Sequence, residues 1–334
     1  MSDPRAAGNA DAVPFRPDSG VSLSLRARAG ARRRARRAGP TTTIPPLDAR
    51  VVHELTLPAG PLRVRETGPA DAPTLLFVHG LLVDGRIWDT LVAELSDRYR
   101  CVVPDLPLGA HRSAMAPDAD LTPEGITLLL DGVVAALDLD DVTVVASDSG
   151  GAITQLWMDR GATRVTRVVL TPCDCFDNFL PPGFSVYQLL ARIPGALPVM
   201  LASTRLRAVR AMPIAYGGLT HRRIDDELAR SWLAPARADA GIRRDLAAFL
   251  RGISGARLDA ASQRLGAFDR PVLLPWAPEQ AWFPIEHARR LATMLPDARV
   301  VEIRDSGAFI NVDRPAALAA AITEFVPAAT AALR

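Results

Sequence analysis

The sequence predicts an α/β protein built on a mostly parallel, doubly wound sheet with an inserted all-helical segment. Three observations carry that reading. Between residues 51 and 175, short apolar runs alternate with stretches of helical spacing, the pattern that crossover helices impose between parallel strands. The same rhythm returns from residue 269 with PVLLPW, PIEHARRLATML, ARVVEIRD and AALAAAITEFV. Residues 176–268 break it: they are rich in Pro and Arg, hold no convincing strand, and carry the helical stretches SVYQLLARI, IDDELARSWL and GIRRDLAAFLRGI. The expected organisation is a core of 46–175 and 269–334 with a helical cap at 176–268.

Residues 1–45 come first. They are rich in Ala, Asp, Pro and Gly, and seven Arg fall between Arg26 and Arg37. No apolar segment follows the paired arginines, so neither a secretory nor a twin-arginine signal is expected. The stretch reads as a disordered basic tail. VVHELTL and PLRVRET are paired strands around a short Pro/Gly turn. TLLFVH is the continuous apolar run of a buried strand, ending at His79-Gly80. WDTLVAELSDRY has helical spacing, and RCVVPD is another buried strand. LTPEGITLLLDGVVAALDL is a long amphipathic helix, with Thr122 to cap it and Pro123 in its first turn. DVTVVAS is a strand; a helix and the strand RVTRVVLTP follow.

Composition narrows the class. The chain has 334 residues, 49% hydrophobic and 23% charged, enough to bury a substantial core. A net charge of +2 gives no reason to expect nucleic acid as a partner of the folded part. Apolar runs are interrupted well before the ~20 residues of a membrane span, so no membrane partner is expected. Every basic residue is Arg, which a GC-rich coding bias explains. Cys101, Cys173 and Cys175 are odd in number and read as reduced thiols in a cytoplasmic protein. Their spacing is not that of a zinc site, and no metal is expected. With neither GxGxxG nor a P-loop, no nucleotide site is supported, and no cofactor is expected. The expected partner is a small-molecule substrate; a homo-oligomer is left open.

The chemistry gathers at ASDSGGAI, residues 146–153. A β-branched strand, small residues, one reactive side chain, a Gly pair and a helix make up a nucleophile elbow. Such a turn needs small residues two before and two after its tip. Asp148 at the tip gives Ala146 and Gly150; Ser149 gives Ser147 and Gly151. Both registers are sterically open, and strand spacing favours Asp148.

In order and spacing, five pieces resemble an α/β-hydrolase-fold protein with a helical cap, over residues 51–327. They are FVHG at 77–80, PDLPLGAHR at 104–112, the elbow, WAPEQAWFP at 276–284 and DSGAFINVDRP at 305–315. The elbow resembles the GHDWGG turn of haloalkane dehalogenases and epoxide hydrolases. The resemblance implies an oxyanion hole from the backbone N–H groups of Leu81 and Ser149. It also suggests substrate contacts at His79, Trp88, Tyr187, Tyr216, Trp282 and Phe309.

The hydrolytic relay of that family is altered. Its His belongs just after the last strand, where Ser306-Gly307-Ala308-Phe309 stands, and the last histidine in the chain is His287. Gln280 takes the usual place of the acid, with Glu279 beside it. Asp174, after the strand RVTRVVLTP, is an alternative acid, and His111 is a candidate catalytic partner. An Asp nucleophile can alkylate without a base, but releasing the ester needs activated water, worth roughly 10²–10⁴-fold. The favoured expectation is a non-hydrolytic enzyme acting on an apolar small molecule. Asp148 serves as acid, base or nucleophile in a cyclisation, isomerisation, elimination or decarboxylation. A hydrolase of an epoxide, halide or ester with a displaced base, and a non-catalytic ligand binder, are the alternatives.

Overall fold

The computed structural model describes residues 41–42 and 51–327. Strands β1 (Val51–Leu57) and β2 (Gly60–Thr67) form an antiparallel hairpin, and β2 pairs antiparallel with β4 (Arg100–Pro104). β3 (Thr74–Val78), β5 (Val142–Asp148), β6 (Val165–Cys173), β7 (Val272–Trp276) and β8 (Ala298–Glu302) complete the parallel part. Across the sheet the order is β1-β2-β4-β3-β5-β6-β7-β8. The chain leaves β3 toward β4 on one side and later returns to β5 on the other. In open parallel sheets such a reversal opens a crevice at the carboxyl ends of the strands. Here it separates the loop that begins at His79 from the turn at Asp148.

β3 is buried along its whole length and β5 up to its last residue, as strands covered on both faces must be. Their covers include α1 (Asp89–Leu95), α2 (Pro123–Ala136) and α3 (Ser149–Asp159). Thr122 caps α2, its hydroxyl accepting from Gly125 N–H at 3.1 Å.

Between β6 and β7 lie α4 (Ser185–Leu190), α5 (Ala196–Ser203), α6 (Arg207–Arg210), α7 (Asp226–Ala238), α8 (Ala240–Gly252) and α9 (Gly255–Ser262). α10 (Ile285–Met294), the one-turn α11 (Ile310–Asp313) and α12 (Pro315–Phe325) follow β7. Two details correct the sequence reading. Arg223–Ile224, in the stretch expected to hold no strand, pairs in parallel with Thr41–Thr42, inside the expected tail. The rest of that tail lies outside the described residues. Among those described, no helix is long and apolar enough to cross a membrane.

Polar contacts tie the inserted helices to the core. Tyr216 donates its hydroxyl to Leu82 O at 2.6 Å, and Trp232 donates Nε1–H to Asp84 at 2.9 Å. Trp282 donates to Gly218 O at 3.1 Å. Asp245 of α8 accepts from Met115 N–H at 2.7 Å and lies 3.2 Å from His111 Nε2. At α2, Thr122→Ala removes the cap and should lower stability by about 1 kcal/mol. A urea titration checks this, with a lower midpoint expected at unchanged slope.

Candidate active site

β5 ends on Asp148 with φ 54° and ψ −137°, a region that side chains rarely enter and that costs about 1–3 kcal/mol. α3 begins at the next residue. The reversal presses backbone against backbone. A Cβ on Gly150 would lie 2.4 Å from Val78 O, and one on Gly151 would lie 2.3 Å from the Cys173 Cβ. A Cβ on Gly80 would meet Asp148 Oδ2 at 2.1 Å. These glycines leave room for one register, with Asp148 at the tip. Ser149 turns inward instead; it is buried, and its hydroxyl donates to Asp174 Oδ2 at 3.2 Å.

Burial drives the Asp148 carboxyl up to about 7, against the opposing pull of the Ser149 and Leu81 backbone N–H groups. The pair expected to form an oxyanion hole therefore acts on the carboxylate of Asp148 itself. Asp174 is buried behind the elbow. Its carboxyl is pushed well above the usual range by burial and then by the charge of Asp148, while Leu180 N–H, at 3.0 Å, and the Ser149 hydroxyl oppose the shift. Burial and the neighbouring charge thus both favour the protonated form of Asp174.

Asp148 opens into a cavity of about 260 Å³ between the strand ends and the inserted helices. Leu81, Leu82 and Phe283 form the core side; Phe184, Leu190, Met200, Val209 and Ile214 are among the apolar residues of the other. Among the described lining residues Asp148 is the only carboxylate and Arg210 the only cation. Arg210 is already engaged, donating to Asp226 at 2.6 Å and to Arg205 O at 2.8 Å. Leu82 and Leu180, both on the wall, share with Asp148 a positive φ, at 57° and 67°. Strain thus collects around the cavity.

Tyr187 and Tyr216 also line it, yet both hydroxyls donate to backbone carbonyls, of Ile214 and Leu82, each at 2.6 Å. Burial pushes Tyr187 up to about 12 and Tyr216 well above the usual phenol range, so both remain neutral. The other expected contacts lie off the wall. His79 is buried under the loop, with Nε2 accepting from Leu106 N–H at 2.8 Å. Trp88 is packed in the core against Phe77, and Phe309 is fully buried. Trp282 stands behind the wall, edge-on to Phe184 with ring centroids 5.0 Å apart. His111 clamps α8 through Asp245 and does not reach the cavity. Gln280, in the acid slot, spends its side-chain oxygen on Trp282 N–H at 2.8 Å. The apolar residues of the insertion that build most of the wall carried no sequence signal, because burial in a short helix has no motif.

None of the five histidines lines the cavity. His53 pairs with Glu66, His221 is exposed, and His287 meets the Phe176 ring at 5.7 Å. Ala308 is fully buried, and the insertion closes over its loop: Phe309 N–H donates to Leu219 O at 3.0 Å.

The raised carboxyl has a signed consequence for stability. An unfolded Asp titrates near ~3.9. The folded chain holds the Asp148 proton more tightly, so stability falls as pH rises from about 4 to about 7 and then levels. Asp148→Asn keeps the shape, tolerates the positive φ and carries no charge. Allowing for cavity solvent, it should exceed the parent by roughly 2 kcal/mol at pH 8, with the gap closing near pH 4. Thermal unfolding across that range measures it; a gap that does not vary with pH would refute the origin in charge burial.

Residues 75–321 match the model of the alpha/beta hydrolase family. A cis-3-alkyl-4-alkyloxetan-2-one decarboxylase of Xanthomonas campestris is 27% identical over 276 residues, spanning 78% of this chain and 90% of the relative. Haloalkane dehalogenase 2 of Mycobacterium tuberculosis is 27% identical over 269 residues, spanning 78% and 91%. Among solved structures, Cfl2 of Burkholderia cenocepacia superposes with a TM-score of 0.70 at 20% identity, covering 82% of this chain and 95% of that one. The haloalkane dehalogenase DbeA of Bradyrhizobium elkani gives 0.67 at 22% identity, covering 82% and 97%. The sheet order, the elbow and the family match agree: this chain belongs to the alpha/beta hydrolase family.

Proposed function

We propose that the chain is a non-hydrolytic enzyme in which Asp148 opens a strained apolar substrate, with decarboxylation of a dialkyl oxetan-2-one as the favoured reaction. One observation carries the reading: the cavity holds a single carboxylate at the elbow and no imidazole on its wall. The relatedness to an oxetanone decarboxylase supports the choice among reactions that need no water.

The electrons balance with Asp148 alone. Its carboxylate attacks ring carbon C4; the Oδ–C4 bond forms as the C4–O ring bond breaks, leaving a free carboxylate on C3. The C3–carboxyl bond then breaks and releases carbon dioxide. Its electron pair becomes the C3=C4 double bond, and the Asp148 carboxylate departs from C4. An alkene leaves, Asp148 is restored, and no proton moves. The Leu81 and Ser149 N–H groups steady the carboxylate as charge leaves and returns. The apolar walls exclude water and hold the two alkyl arms in place. Helices 176–268 act as the cap, and Asp174 and Ser149 support the elbow from behind.

The competing reading, a hydrolase of halides, epoxides or esters with a displaced base, requires an activated water beside the ester. Two measurements separate the readings. With a cis-3,4-dialkyl oxetan-2-one, gas chromatography should detect alkene from the parent and none from Asp148→Ala. The parent's kcat/KM should rise with pH through about 7, as the nucleophile loses its proton. With a 1-bromoalkane, intact-protein mass spectrometry should find an adduct that persists on Asp148. Steady release of alcohol would overturn the proposal in favour of a hydrolase.

A further inference from the structure

The segment 178–224 has a character unlike the rest of the chain. It contains six arginines and no Asp or Glu. Five of them, Arg192, Arg205, Arg207, Arg222 and Arg223, are exposed. The same segment supplies six of the nine exposed large hydrophobic residues among the described part, with Val199 at 71%, Leu206 at 63% and Leu189 at 56% exposure. Val186, Leu189 and Ile193 recur at helical spacing along and just past α4, the arrangement that turns side chains to one side of a helix. Val186 and Met212 are exposed and also line the cavity, so the apolar surface runs into its mouth.

We propose that this mouth is a docking surface for an anionic lipid bilayer. Protruding aliphatic side chains interspersed with Arg suit the boundary between headgroups and acyl chains. Exposed arginines in a segment with no Asp or Glu of its own suit phosphate-bearing lipid; Asp226, just beyond the segment, is already paired with Arg210. A second copy of the chain fits poorly. A two-fold interface sets the same patch against itself, which opposes Arg to Arg within a segment that has no Asp or Glu of its own. The surface holds the protein at the membrane without a spanning helix and turns the cavity toward the phase in which an apolar substrate dissolves. The proposal stands apart from the chemistry at Asp148, and its test needs no substrate.

The arginines at 26–37 could bind anionic vesicles by themselves, so the readout must be local. In the full chain, Val199→Cys carries an environment-sensitive fluorophore, with Thr293→Cys on α10 as control; the native cysteines are buried. Vesicles of phosphatidylcholine with phosphatidylglycerol should blue-shift the label at 199 and leave that at 293 unchanged. Pure phosphatidylcholine should shift neither. Arg205→Glu with Arg207→Glu should raise roughly tenfold or more the lipid concentration needed to shift the label at 199. Leu189→Glu with Leu206→Glu should abolish the shift, with an unaltered circular dichroism spectrum. Sedimentation with vesicles but no shift at 199 would assign binding to the N-terminal arginines and overturn the proposal. Concentration-dependent dimerisation lost on Leu206→Glu would overturn it in favour of a second copy.

Discussion

The close approach of main chain at the elbow is the constraint on which the site depends. The carbonyls of Val78 and His79 lie where a Cβ on Gly150 would have to go, and the Cys173 side chain lies where one on Gly151 would go. Three adjacent strands, β3, β5 and β6, are thereby locked around one turn. That lock holds Asp148 in a backbone conformation it would leave if free. It also aims the carboxylate at Gly80, the one residue type on the facing loop that leaves room for it. Were the turn to relax, the carboxylate would move away from the Leu81 N–H on the facing loop and lose the geometry that brings the Ser149 N–H onto it.

Electrostatics follows from that geometry. Burial opposes the charge of Asp148, and two N–H groups partly restore it. The balance falls near neutrality, where a group can be both a competent nucleophile and a tolerable leaving group. Asp174 adds a second carboxyl directly behind. The first charge raises the second group further, so the turn disfavours two charges at once. The Ser149 hydroxyl bridges toward Asp174 rather than toward the cavity, so its part is to hold the elbow.

The fold was legible in the sequence because its signals are local. Apolar runs of strand length, the Thr122-Pro123 helix start and the Gly pair after Asp148 each act within a few residues. The tip of the elbow was legible for the same reason: only one register suits both strand length and glycine spacing. The wall of the cavity was less so. Tyr187 and Tyr216 do line it, whereas Trp88 and Phe309 are packed in the core and His79 and His111 are held elsewhere by partners distant in sequence, Leu106 for His79 and Asp245 for His111. A sequence places a side chain at a strand end; it does not say which long-range partner turns it away. Met200, Val209 and Phe283 had no signal at all, since an apolar residue reads alike in a core and on a cavity wall.

The loop after β8 carries Ala308 where the family resemblance implies an imidazole, and that place is not an open gap. Gly307 stands where a Cβ would come within 2.5 Å of Leu219 O, and Phe309 is hydrogen-bonded to the same carbonyl. The insertion's main chain has closed over the loop, and Ala308 suits that closeness because a larger side chain would have to displace a packed neighbour. A buried imidazole would also demand polar partners, and Gln280, in the usual acid position, is committed to its own turn. The closed loop, the small residue and the engaged Gln280 are therefore mutually consistent. They leave a mostly apolar cavity in which Asp148 is the only carboxylate among the described lining residues, and such a cavity suits the proposed water-free reaction.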